Sequence, residues 1–130
     1  MNIDALSREI KFDERGLVPC IAQDSGTGEI LMLAYMSPES FRVTVEEGRA
    51  CYFSRSRNKL WRKGEESGNF QVVKEILCDC DGDTLLLKVE QRGGCACHKG
   101  YRSCFFRRIE GETWNLTGDK VRNPEDMYSK

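Results

Sequence analysis

The sequence predicts an α+β fold, mainly antiparallel β-sheet with one or two short helices. Three observations predict it. Short apolar runs of strand character recur along the chain, turn residues separate them, and one stretch carries a full set of helix start and stop signals. In order, Asp4 can cap a brief helix through Ile10. Leu17 to Gln23 and Glu29 to Met36 read as strands, joined by Asp24-Ser25-Gly26-Thr27-Gly28, a turn rich in residues that accept positive φ. Pro38 to Glu47 is the best helix. Ser37 is its N-cap, Pro38 sits where a missing N–H costs nothing, Glu39 favours the positive end and Gly48 closes it. Phe41 and Val45 share a face, so this helix packs one side on a sheet. Further strands are predicted at Ala50 to Ser54, Gln71 to Asp79, Thr84 to Gln91 and Cys104 to Ile109, with Asp81-Gly82 the strongest hairpin signal. Residues 114–130, with Pro124 and scattered charges, read as an exposed C-terminal tail.

At 130 residues, the chain reads as one domain, 1–130, able to bury roughly two-thirds of its unfolded surface without cross-links. A net charge of −1 gives no global basic field for nucleic acid, and the longest apolar run, Ile30 to Tyr35, is too short to span a bilayer. The N-terminus does not resemble a signal peptide, so a cytoplasmic location is expected. Seven cysteines there read as metal ligands or core residues sooner than as disulfides.

Five of those cysteines, the only histidine and three alternating aspartates crowd between Cys78 and Cys104. Thiolates suit zinc, whereas the carboxylates of Asp79, Asp81 and Asp83, converging at a hairpin tip, suit magnesium or another hard cation. A solvated Asp-Gly turn is the plain alternative for the aspartates. An EF-hand is excluded, because Thr84 stands where the calcium loop needs glycine and the flanks are strands. Cys20 and Cys51 fall in apolar strand patterns and read as core, and Cys78 and Cys95 can go either way. Cys80, Cys97 and Cys104 each lie beside a glycine, a charge or a polar turn residue, and three ligands with an open fourth position is the catalytic zinc pattern. His98 can serve as a fourth ligand, a partner to a ligand or a general base.

Upstream, Ser54 to Gly64 holds five positive charges and no acid, followed by Glu65-Glu66-Ser67-Gly68. Arginine forks, hydroxyls and glycine amides are what a phosphate needs. A solvated basic loop, or RNA stacking on Trp61, uses the same residues.

Ser54-Arg55-Ser56-Arg57-x-x-Leu60-Trp61-x-Lys63-Gly64-Glu65-x-Ser67-Gly68, then Asp79-Cys80-Asp81-x-Asp83, then Cys97-His98-x-Gly100-x-x-Ser103-Cys104-Phe105 closely resembles the phosphoribosyl-AMP cyclohydrolases, in the family's order. Lys99 departs from the threonine that many relatives carry. The resemblance implies a stand-alone enzyme of L-histidine biosynthesis, opening the adenine ring of phosphoribosyl-AMP at N1–C6 in the pathway's third step. It implies zinc on Cys80, Cys97 and Cys104, with a zinc-activated water as nucleophile, and magnesium on Asp79, Asp81 and Asp83. It also implies a homodimer that shares zinc ligands, Cys80 from one chain and the later pair from the other. On this reading His98 is the catalytic proton carrier. The substrate and its phosphates fall to Ser54, Arg55, Ser56, Arg57, Lys59, Trp61, Lys63, Gly64, Glu65, Ser67 and Gly68.

Overall fold

The computed structural model describes residues 2–128. Its first element, α1 (Ile3–Arg8), starts earlier than the sequence suggests, because Asn2 supplies the capping oxygen and accepts from the Ala5 amide at 3.0 Å. Asp4 instead lies in the first turn and pairs with Arg42. The helix ends two residues short of Ile10, whose amide turns back to the Ser7 carbonyl as its side chain enters the core.

The main sheet has four strands: β1 (Val18–Asp24), β2 (Ile30–Met36), β5 (Gln71–Cys78) and β6 (Leu85–Gln91), in the order β2-β1-β6-β5. The β1–β2 and β5–β6 hairpins are antiparallel, and the two inner strands pair in parallel, Cys20 opposite Leu85 and Ala22 opposite Leu87. Alternate residues Val18, Cys20 and Ala22 on β1, and Leu85, Leu87 and Val89 on β6, are buried on one face. Between the hairpins runs α2 (Pro38–Glu47), bounded as expected by a reciprocal Ser37–Ser40 capping box and by Gly48 at φ 72°. Phe41 and Thr44 form its fully buried side, and Val45 packs at the margin. The Thr44 hydroxyl lies 2.9 Å from the Cys51 amide and 3.0 Å from its carbonyl, fastening the helix to the next strand.

β3 (Cys51–Ser54) and β4 (Lys59–Arg62) form a second hairpin. The sequence reads β4 as basic loop, since its Lys-Leu-Trp-Arg composition is dominated by charge. Pairing with β3 and the packing of Trp61 on buried Tyr52, ring centroids 5.7 Å apart, make it a strand.

The strand expected from Cys104 begins only at Arg107. The Ser103 hydroxyl takes the Phe105 amide and reaches the Ile30 carbonyl, while the Cys104 amide donates to Leu31, so this stretch is tied down as a loop beside β2. β7 (Arg107–Glu110) and β8 (Thr113–Leu116) form an exposed hairpin, of which only the first strand is foreshadowed. Beyond it the expected exposed tail is only partly exposed. α3 (Pro124–Tyr128) buries Met127 to 2% exposure; residues 129–130 lie outside the described part.

Candidate active site

The basic run and the lone histidine, distant in sequence, share one cleft of about 800 Å³. The β3–β4 hairpin contributes Ser54, Ser56, Arg57, Lys59, Trp61 and Lys63, and the turn after it contributes Gly64, Glu65, Glu66 and Ser67. His98 and Pro124 complete the wall. Sequence reasoning missed Glu66, whose neighbour Glu65 it included, and Pro124, which it assigned to a free tail.

Two of the expected substrate residues do not line this cleft. Arg55 lays its guanidinium over the Tyr35 ring, 4.0 Å from the centroid, and Gly68 lies outside the wall. Lys63 is in the cleft but is only 5% exposed, in contrast to exposed Arg57 and Lys59. Burial lowers its pKa, opposed by the neighbouring thiols of Cys104, Cys95 and Cys97. Among the described residues it has no carboxylate partner.

Gly64 has a packing role of its own. Its φ is +86°, and a Cβ there would lie 2.3 Å from the Phe70 amide nitrogen. Gly64→Ala is therefore expected to cost about 2 kcal/mol or more of folding stability, from left-handed strain plus collision with backbone. A urea unfolding midpoint equal to wild type would contradict this.

The three aspartates meet at the β5–β6 turn, one carboxylate oxygen of each lying within 4.8 Å of the others. Gly82, at φ 75°, makes the turn, and the Asp79 carboxylate accepts from the Asp83 amide at 3.0 Å. Desolvation by itself would raise the Asp79 pKa, but the hydrogen bonds from Asp83, Thr84 and Gly82 together outweigh it and hold the group below its ordinary value. Asp83 is pushed up by its hydrogen bond to the Asp79 carboxyl and by that group's charge. Converging hard oxygen donors of like charge suit a magnesium-type cation.

The cysteines divide. Cys20 and Cys51 are fully buried in the core. Cys95 is also buried, with its thiol 3.2 Å from the Cys97 carbonyl, and Cys78 is exposed. Cys97 and Cys104 stand together: although Cys104 is exposed as a residue, desolvation of its thiol, then the adjacent Cys97 thiol, pushes it up to about 12. Two adjacent soft donors are suited to a thiophilic cation, which displaces thiol protons on binding.

Cys80 is elsewhere. It follows β5 beyond the end of the sheet where β6 begins, whereas Cys104 is tied to Leu31, which lies across β1 from the middle of β6. That places them on the order of 10 Å apart along the strands, with further separation across the sheet. Among the described residues, the aspartate trio alone gathers three or more candidate metal donors. One chain therefore brings together two of the three expected zinc cysteines.

A loop fixed at several points presents Cys97 and His98. The Cys97 amide donates to the Tyr101 carbonyl at 3.1 Å, and the Gly100 amide returns to the Cys97 carbonyl at 3.0 Å. Arg102, unremarked in the sequence, anchors the loop through Asp24 at 3.1 Å and Glu29 at 2.8 Å.

A concave cleft with cations on its walls, an imidazole at its edge and thiols beside its buried lysine is the equipment of an enzyme for a small anionic substrate. The chain matches the phosphoribosyl-AMP cyclohydrolase family profile over residues 32–106. It is 60% identical over 122 residues to the phosphoribosyl-AMP cyclohydrolase of Pelodictyon phaeoclathratiforme, covering 93% of this chain and 88% of that one. It is 50% identical over 126 residues to that of Ruthia magnifica, covering 97% and 99%. The chain belongs to the phosphoribosyl-AMP cyclohydrolase family.

Proposed function

We propose that this chain hydrolyses the N1–C6 bond of 1-(5-phosphoribosyl)-AMP, giving the ring-opened imidazole carboxamide ribotide of L-histidine biosynthesis. The carrying observation is the cleft itself, which joins the basic hairpin to His98 in a member of this family. Ribosylation at N1 costs the adenine ring aromatic stabilisation and leaves C6 amidine-like and electrophilic. Cys80, Cys97 and Cys104 would hold zinc, which when bound would make a water acidic enough to serve as nucleophile near neutral pH. His98 takes a proton from the attacking water and delivers it toward N1, so that N1 leaves instead of the exocyclic amine. Arg57 and Lys59, exposed on the cleft wall, take the substrate phosphates, with the Ser54 and Ser56 hydroxyls beside them. The aspartate trio would hold magnesium, which would position the substrate or stabilise the site.

The same reading makes the enzyme a homodimer whose zinc site draws on both chains. Two observations support it: the separation of Cys80 from the Cys97–Cys104 pair, and the apolar display of the β7–β8 hairpin. Ile109, Trp114 and Leu116 on it, and Phe105 just before it, are each more than half exposed, and two strands alone make a marginal unit in water. We place the enzyme in the cytoplasm, where its thiols stay reduced. Among the described residues no helix is long and apolar enough to cross a membrane.

The test is to supply phosphoribosyl-AMP and identify the product. The ring-opened carboxamide, formed without ammonia and lost on metal chelation, is expected. Ammonia release would instead indicate a deaminase, although the His-x-Glu and Pro-Cys-x-x-Cys pattern of those enzymes is absent from the sequence. An RNA-binding zinc protein would turn over nothing and would show salt-dependent RNA affinity. Arg57→Ala and Lys59→Ala are each expected to raise KM about tenfold with a smaller change in kcat, as loss of a phosphate contact made equally in ground and transition states should do. An unchanged KM would remove that residue from the phosphate site.

A further inference from the structure

We propose that Val121–Met127 is a working part of the active site, a clasp that fixes the Cys97–Gly100 turn against the Gly64–Asn69 turn, with Asn69 as the positioning residue that joins them. This rests on the reading of His98 as the proton carrier.

The clasp begins on the backbone. The amides of Val121 and Arg122 both donate to the Gly100 carbonyl, at 2.8 and 3.2 Å. The approach is so close that a Cβ on Gly100 would lie 2.0 Å from the Arg122 carbonyl oxygen. Gly100 thus lacks a side chain where the clasp crosses the His98 turn, and any side chain there would displace it. Pro124 follows directly and lines the cleft with His98.

The clasp is then fastened at two side chains. Arg122 donates through one guanidinium nitrogen to the Asn69 side-chain oxygen at 2.8 Å and to the Ser67 carbonyl at 3.4 Å. Met127 is buried, its sulfur 2.9 Å from the Asn69 amide nitrogen and 3.8 Å from the Cys95 sulfur. Asn69 is itself 1% exposed, so its contacts cannot be exchanged for water without loss. Its backbone carbonyl accepts from Gln91 at 2.9 Å, and Gln91 accepts from Gln71, which accepts from the Tyr52 hydroxyl. That buried chain runs to Tyr52, against which Trp61 of the cleft packs. Gly100, Ser67 and Asn69, which hold the clasp by oxygen and nitrogen contacts, therefore all belong to turns that bear a cleft residue. A surface tail needed only for solubility would need none of them.

The test uses the full chain with Arg122→Ala and Met127→Ala, and with Met127→Leu as the conservative control. Each alanine variant is expected to lower kcat about tenfold, a misplaced proton carrier being costly even at sub-ångström shifts. Zinc content per chain should stay at the wild-type value, and kcat should recover in part in Met127→Leu, which restores the packing but not the sulfur that faces Asn69. The deciding measurement is a double-mutant cycle: adding Arg122→Ala to His98→Asn should produce no further loss, because the clasp acts through His98. Wild-type kcat in both alanine variants, or a loss that simply follows the unfolded fraction or the zinc lost, overturns the clasp. So does an additive cycle with an impaired His98→Asn, which would leave the histidine reading standing. A fully active His98→Asn enzyme overturns both.

Discussion

Mixing a Cys80→Ser enzyme with a Cys97→Ser enzyme, each inactive by itself, is expected to restore about a quarter of wild-type activity once subunits exchange. The figure follows from the geometry of a shared site. Random exchange makes half of the dimers mixed. In each mixed dimer, one site collects both lesions and the other collects none, so roughly one site in four overall is intact. The physical basis is the sheet. Cys80 lies beyond the start of β6, while Cys104 is held beside β2, its amide 2.7 Å from the carbonyl of Leu31, level with the middle of β6 and two strands away. Zinc–sulfur bonds of about 2.3 Å cannot span that separation, and moving either cysteine within the chain would dismantle the hairpin or the Ser103–Ile30 tie. Activity should be read alongside zinc per dimer, with exchange confirmed by mass labelling. Confirmed exchange without recovery would mean that the zinc site is completed within one chain.

Replacing His98 by asparagine is expected to lower kcat by about 10² to 10⁴, the usual range for loss of a positioned proton carrier, while zinc binding persists. Asparagine keeps the size and a hydrogen-bonding end but cannot accept and pass on a proton at neutral pH. The imidazole is exposed at the cleft edge, on a turn held by the Cys97 carbonyl and Gly100 amide, so the substitution should leave the fold unchanged. Full turnover with full zinc would end the assignment. Loss of zinc together with activity would make His98 a ligand or a support for one, and retained zinc with slow turnover is the outcome the proposal requires.

Much of the fold was legible because its signals are local. The Ser37–Gly48 frame of α2, the glycine-rich β1–β2 turn and the Asp81-Gly82 turn each act within a few residues, and the structure follows them. β4 was not legible: a strand of two cations, a leucine and a tryptophan acquires its conformation from β3 and from Tyr52, not from its own propensity. The parallel pairing of β1 with β6 was equally hidden, since it joins segments some sixty residues apart.

The site divides along the same line. Which chemistries the chain can perform was determined by the sequence, because side-chain type sets donor softness, charge and proton affinity: soft thiols, hard carboxylates, a single imidazole and a basic run. Which of those groups meet was decided only by the tertiary structure. It brought His98 to Arg57 and Lys59, turned Arg55 away onto Tyr35, buried Lys63 beside the thiols and held Cys80 apart from Cys97 and Cys104. It also drew Arg122 and Met127 from a tail with no motif into contact with Asn69. The reason is that spacing along the chain fixes distance only within a turn or a strand; beyond that, the packing of nonlocal partners sets it.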